Sequence, residues 1–259
     1  MKCSIKILKN GSIRLKGFEQ FYLARTPEYI DAFIYIFLIE YDGKKILIDC
    51  GLPKEDYLNE INKKAVEETG DETAKFFQEY DEDILHLIEK EGLKKEEIDY
   101  IILTHLHIDH VGGLDLFPNA KMIFSRKGWS YFYSRKYPMT APRSQIPGYI
   151  QKYLLFDAWD RVYLNDEREE LLPGISVQWV GGHSMCSQII KVKTGKKTII
   201  FCGDIVATYR NIENNIPIAL LHNLEEVLSA MDIIRSSADL IIPGHDPLLL
   251  QKFKNGVII

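Results

Sequence analysis

The chain lacks any apolar run near the roughly 20 residues needed to cross a bilayer; the longest early one, Phe33 to Ile39, falls far short. Its first ten residues, MKCSIKILKN, lack the apolar core of a secretory signal. No membrane partner and a cytoplasmic location are the expectations. Cysteine is scarce, with only Cys3, Cys50, Cys186 and Cys202, and no C-x-x-C pair. That excludes a disulfide framework and a cysteine-based zinc ribbon, and suits a reducing compartment. Excess positive charge is also missing: 32 basic against 37 acidic residues leave a net charge of −5, so no nucleic-acid partner is expected. Nor is there an internal repeat of the kind that builds solenoids. With 46% hydrophobic residues, the 259-residue chain can bury a sizeable core, in one large domain or two small ones; strands then helices in each half fit one domain over 1–259.

What is present is concentrated at one point. The apolar run Tyr100-Ile101-Ile102-Leu103 leads into Thr104-His105-Leu106-His107-Ile108-Asp109-His110-Val111-Gly112-Gly113. Alternate residues of an extended chain share a face, so His105 and His107 point together. Asp109 and His110 arrive as the chain turns at the glycines. Imidazole with carboxylate is a donor set for a divalent cation. A polar loop holding these groups by chance is the competing reading, and three imidazoles and a carboxylate in six residues weigh against it.

Along the chain, residues 2–16 alternate around Asn10-Gly11, which predicts a hairpin. A second hairpin joins 32–40 to 45–49 through Asp42-Gly43. Helical spacing covers 54–69 and 81–91, the latter carrying His86 as a packing or surface residue. Further strands are expected at 99–104, 120–124, 175–180, 188–193, 197–203 and 239–242, with a last strand closing the chain. Asn223 with Glu226 predicts a capping box opening a helix to about Arg235, with His222 structural just ahead of it. Residues 126–160 are rich in aromatics and broken by prolines. They predict helices joined by loops, either covering the sheet or forming a lid whose Trp129 and Phe132 would touch substrate. Cys186 and Cys202 read as small buried hydrophobes.

The run His105-Leu106-His107-Ile108-Asp109-His110 resembles the metal motif of the metallo-β-lactamase superfamily, and the resemblance extends over nearly the whole chain. Such proteins carry further ligands at a His after a Gly-rich turn, at an Asp ending a strand and at a late His. This chain offers His183 after Gly181-Gly182, Asp204 after Phe201-Cys202-Gly203, and His245 after Pro243-Gly244. Five of its seven histidines thus fall on ligand positions. The resemblance implies an α/β, four-layer αββα sandwich, with the helical segment inserted between the second and third metal motifs. It implies two divalent cations, zinc first and manganese, iron or cobalt as alternatives. His105, His107 and His183 would hold one, Asp109, His110 and His245 the other, and Asp204 would bridge them. A metal-bridging hydroxide would then attack the substrate, with Asp109 passing a proton to the leaving group. Asp49, in Asp49-Cys50-Gly51, resembles the turn beneath the metals and would hold a ligand by hydrogen bonding.

Within the superfamily, His107 separates the chain from diiron reductases, which carry Glu there, and Asp204 from zinc β-lactamases that use Cys. The resemblance is nearest to the N-acyl homoserine lactone lactonase and 4-pyridoxolactonase group, carried by Leu172-Pro173-Gly174-Ile175, Ser187-Gln188 and Ile241-Ile242-Pro243-Gly244-His245-Asp246-Pro247. It implies a small-molecule lactone or ester as substrate; a homodimer is allowed. Two departures stand out. His183 is followed by Ser184-Met185-Cys186 instead of Thr-Pro-Gly, and Ala207 occupies the place of a substrate-steadying tyrosine. Tyr209, two residues on, is a candidate replacement, with an ordinary packed tyrosine as the competing reading. Hydrolysis of a thioester (glyoxalase II-like) or phosphodiester is the alternative function, and a non-catalytic metal-binding protein the third.

Overall fold

The computed structural model describes residues 3–25, 28–134, 146–195 and 197–259, apart from the side chains of residues 132–134. One sheet contains β1 (Cys3–Lys16), β2 (Tyr29–Tyr41), β3 (Lys44–Ile48), β4 (Phe76–Phe77), β5 (Tyr100–Ile102), β6 (Lys121–Ser125) and β7 (Val162–Asn165), in the order β4-β1-β2-β3-β5-β6-β7. The other contains β8 (Arg168–Leu172), β9 (Ile175–Trp179), β10 (Gln188–Thr194), β11 (Lys197–Phe201) and β12 (Leu240–Ile242), in the order β12-β11-β10-β9-β8. Both sheets are mixed. The helices are α1 (Gly17–Gln20), α2 (Glu55–Thr69), α3 (Ile84–Lys90), α4 (Ile108–Val111), α5 (Arg126–Ser134), α6 (Gly148–Lys152), α7 (Tyr209–Glu213), α8 (Leu224–Ser237) and α9 (Leu248–Lys252). No helix among the described residues is long and apolar enough to cross a membrane.

The layers follow from which side chains are buried together. Ile5, Ile7, Phe37, Ile46 and Ile102 of the first sheet meet Ile175, Ile190, Val192 and Phe201 of the second. Phe37 and Phe201 touch edge-on across the gap, ring centroids 4.8 Å apart. The opposite face of the first sheet is covered by α3 and by the segment holding Ile146, Ile150 and Leu154. The outer face of the second is covered by α8 through Val227, Ala230, Met231 and Ile234. Helix, sheet, sheet, helix is the resulting order. The central strands β3, β5 and β6 run parallel, and Ile46, Leu47 and Ile48 are wholly buried. Parallel strands covered on both faces read as unbroken apolar runs, which is why these were visible in the sequence.

Three expectations need correction. Asn10-Gly11 makes no hairpin: β1 is one continuous strand, pairing with β2 from Cys3↔Tyr41 to Lys16↔Tyr29, with a bulge at Lys9/Gly11. The bulge turns Asn10 inward, where its Oδ1 accepts the Leu52 N–H at 2.6 Å and its Nδ2 donates to the Glu82 carbonyl at 2.8 Å. Loop contacts distant in sequence therefore override the local turn preference. The chain does not close on a strand, but on α9 and a single antiparallel bridge, Lys6↔Val257. Asn255 and Gly256, both at positive φ, turn the chain before a strand can extend. Finally, β7 and β8 lie where only the segment before residue 175 was read. β8 is an edge strand of sequence REELL, and charge on an edge strand makes it look like loop.

The Asp42-Gly43 hairpin forms with both residues at positive φ, 48° and 82°, as a two-residue loop of this type requires. Of 126–160, the described residues are helical in α5, α6 and the turns that follow, up to Arg161; residues 135–145, with Tyr137, Pro138 and Pro142, lie outside the described residues.

Candidate metal centre

Strands β3 and β5 are parallel and end at the same edge of their sheet, delivering Asp49 and Thr104-His105 side by side. His107 caps α4, a single turn that carries Asp109 and His110. In the other sheet, β11 and β12 are also parallel and deliver Asp204 and His245. Ends of parallel strands are where open α/β sheets collect ligand groups. The Gly181-Gly182 turn between β9 and β10 brings His183. All seven expected ligands thus converge at one edge of the sandwich, as two sets: His105, His107, His183 and Asp204, and Asp109, His110 and His245.

Asp204 stands between the sets. Its Oδ2 lies 3.3 Å from His183 Nε2 and 3.8 Å from His105 Nε2. Its Oδ1 lies 2.9 Å from His245 Nε2 and 3.2 Å from His110 Nε2. His107 Nδ1 sits 3.0 Å from His183 Nε2, and Asp109 Oδ2 sits 3.5 Å from His110 Nε2 and 3.8 Å from His245 Nε2. One carboxylate oxygen therefore faces each set.

The outward ring nitrogens are fixed by the surrounding fold. His110 Nδ1 donates to Asp49 Oδ2 at 2.8 Å, His245 Nδ1 to the Phe33 carbonyl at 2.8 Å, and His183 Nδ1 to the Leu220 carbonyl at 2.5 Å. His105 Nδ1 is 3.1 Å from Thr104 Oγ1, whose proton goes to Asp49 Oδ2. With Nδ1 donating in the neutral imidazole, Nε2 is the nitrogen left to face the interior. Asp49, only 3% exposed and at φ +61°, also accepts the Thr104 N–H at 2.7 Å.

Whether cations fit here can be read from the donors. His105 Nε2 and His110 Nε2 are buried and make no hydrogen bond, a costly state for polar atoms unless a cation takes the lone pair. Burial, reinforced by His183, holds His107 down to about 3. Burial likewise lowers His105, with His110 adding to it, and lowers His183. These three imidazoles are neutral donors. Burial would raise Asp204 and Asp109, but the surrounding imidazoles outweigh it and hold both below the usual carboxylate range. Burial opposes charge on His110 and His245 too, yet Asp109, Asp204 and Asp49 raise the first, and Asp204 and Asp109 the second. Neutral imidazole and ionised carboxylate are the forms that bind a metal, and the residues fit two ions.

Tyr209 opens α7, and its hydroxyl donates to the Ile241 carbonyl at 3.2 Å, with Lys252 Nζ 3.3 Å away. Trp129 is half-buried on α5, edge-on to Phe124 at 5.2 Å. The Phe132 side chain lies outside the described residues. Cys202 is buried at the end of β11. Cys186 is closer to the centre: its Sγ accepts the Leu106 N–H at 3.3 Å, between two ligands. Of the other histidines, His86 lies tilted against Tyr80, ring centroids 4.4 Å apart, and His222 lies 6.1 Å from the Tyr131 ring. Sequence reasoning missed Thr104 and the Phe33 and Leu220 carbonyls. Thr104 stood inside the motif and could have been weighed; a backbone carbonyl leaves no signal in residue type.

Fold and donor set together define a metallo-hydrolase. The chain belongs to the metallo-beta-lactamase superfamily, which it matches over residues 30–245. It is similar to an N-acyl homoserine lactonase of Bacillus cereus, 25% identical over 217 residues that make up 82% of this chain and 81% of the relative. An N-acyl homoserine lactonase of a Bacillus species is 26% identical over 228 residues, 85% and 84% of the two chains. Among solved structures, a B. thuringiensis lactonase with N-decanoyl-L-homoserine at its active site has a TM-score of 0.75 at 20% identity, covering 97% and 96% of the chains. A dizinc quorum-quenching lactonase in complex with a product has a TM-score of 0.70 at 18% identity, over 99% and 90%.

Proposed function

We propose that this chain opens a lactone or a similar cyclic ester by dinuclear-metal-dependent hydrolysis. The observation that carries the reading is Asp204, whose two oxygens face two separate sets of histidines. The homoserine lactonase relatives supply the substrate class. Two divalent cations, zinc by the nitrogen and oxygen donors, would activate water near neutral pH and stabilise negative charge on a carbonyl oxygen. His105, His107 and His183 would hold one, and Asp109, His110 and His245 the other, with Asp204 shared. Asp109 Oδ2 is assigned to take up the proton that the attacking water releases and pass it to the leaving oxygen, since it is an ionised carboxylate at the centre not committed to the surrounding backbone.

Leu220 is 51% exposed while its carbonyl is bonded to His183, which makes its side chain a candidate wall beside the first set. Tyr131, 43% exposed on α5, is a second candidate. We assign the described part of 126–160 the role of covering this mouth, with Trp129 as a further contact. A second reading draws on Ala207 and on Tyr209, whose hydroxyl is committed to Ile241. With no tyrosine in the lactonase place, the bond hydrolysed would be a thioester or phosphodiester.

The test is a pH-indicator hydrolysis screen on purified protein, covering acyl homoserine lactones, simple γ-lactones, an aryl ester, a glutathione thioester and a phosphodiester. Lactone turnover lost in Asp109→Asn supports the proposal. Turnover of the thioester or phosphodiester alone moves the assignment to the second reading.

A further inference from the structure

His183 is the only ligand that arrives on a turn between antiparallel strands, and what grips that turn is the first turn of α8. Gly181 and Gly182 stand at φ +63° and +84°. The Gly182 carbonyl accepts the His222 N–H at 2.7 Å and the Asn223 N–H at 2.9 Å. The Gly182 N–H donates to Glu226 Oε2 at 2.8 Å. Glu226 thus does not complete the capping box its spacing suggests. Asn223 caps the helix alone, accepting the Glu226 N–H at 3.2 Å, and the glutamate reaches instead to the Gly181–Gly182 peptide, one removed from His183. The approach is close enough that a Cβ on Gly181 would lie 2.2 Å from Glu226 Oε2.

We infer that Glu226 is a positioning residue for the first metal set: its carboxylate fixes the Gly181–Gly182 peptide, and through Gly182 the direction of His183 Nε2. This rests on the dinuclear reading of the centre. Two hydrogen bonds from opposite ends then orient one imidazole, the Leu220 carbonyl at Nδ1 and Glu226 at the preceding amide. A ligand held from only one of these points loses the alignment that a metal needs, and groups that orient ligands commonly carry about 10–100-fold in metal affinity.

The variants separate this role from general support of α8. Glu226→Gln keeps an acceptor oxygen at the same reach. Glu226→Asp keeps the negative charge in the first turn, which the helix dipole favours, but withdraws the acceptor by roughly one C–C bond, about 1.5 Å. Asn223→Ala removes the cap of the same helix and leaves Gly182 untouched. Zinc-replete wild type and each variant are challenged with graded chelator, and zinc per chain is counted by mass spectrometry alongside Tm. The expected result is two equivalents retained by wild type and Glu226→Gln over the same range. Glu226→Asp should release one equivalent at roughly 10–100-fold lower chelator strength. Asn223→Ala should lower Tm and keep both ions. The inference is overturned if Glu226→Asp holds both equivalents as wild type does, if Glu226→Gln loses zinc alike, or if Asn223→Ala does. A wild type that never holds two equivalents overturns the dinuclear reading and this inference together.

Discussion

Replacing Asp49 by Asn changes one atom of the centre's support and has a calculable effect. The carboxylate accepts three hydrogen bonds: the Thr104 N–H at 2.7 Å, the Thr104 hydroxyl at 2.8 Å and His110 Nδ1–H at 2.8 Å. An amide offers one acceptor and one donor end. With its oxygen on the Thr104 N–H, its NH2 group meets His110 Nδ1, where two donors now face each other. Turning it over sets the NH2 against the Thr104 N–H instead. The loss is one charge-assisted bond, about 1.5–3 kcal/mol, or roughly 3–12 °C in Tm at 2–4 °C per kcal/mol. Asn tolerates the left-handed backbone at this position almost as well as Asp, so conformational strain adds little. Metal binding suffers more than stability. To relieve the clash, His110 must move its proton to Nε2, the nitrogen aimed at Asp204. Affinity for one of the two ions should fall about 10–100-fold, read by chelator competition. A variant with lowered Tm but two ions held at wild-type affinity would refute the reasoning.

Gly182→Ala places a Cβ 2.7 Å from Val227 Cγ2 and 2.8 Å from the Val227 nitrogen at a φ of +84°. The turn must shift, so one ion should be lost and Tm should drop by several degrees, with unchanged zinc content the contradicting result. Phe201→Ala empties the gap between the sheets opposite Phe37 and should cost about 3–5 kcal/mol in denaturant unfolding. A pH dependence also follows. His110 and His245 are raised above the ordinary imidazole value by their carboxylates. They therefore bind a proton more tightly than a free imidazole, and a metal must displace it. Metal uptake should release protons, and affinity should climb with pH until those raised values are passed and fall as pH drops. His105, His107 and His183, all lowered, contribute no release at neutral pH. Calorimetry in buffers of different ionisation enthalpy counts the protons, and an uptake without release would contradict the assignment.

The candidate ligands were legible because the chemistry that would need them is local in sequence. His105, His107, Asp109 and His110 fall within six residues, and Asp204 and His245 each end an apolar strand. The central parallel strands were legible for the same reason as their burial: both faces are covered, so the run is unbroken. Asn10-Gly11 misled because a turn preference worth little on its own met a buried side chain with partners at Leu52 and Glu82. Glu226 misled in the same way, since its spacing from Asn223 fits a cap and its oxygen goes to Gly182 instead. The carbonyls of Phe33 and Leu220 could not be read at all, because every residue carries one. Contacts between positions far apart in sequence decide which of them orients an imidazole.

The most direct test of the dinuclear centre is anomalous diffraction from crystals of the metal-replete protein, collected on either side of the absorption edge of the metal found in solution. Two peaks on opposite sides of the Asp204 carboxylate are predicted, one among His105, His107 and His183 and the other among Asp109, His110 and His245. A single peak, or none within reach of Asp204, would contradict the account.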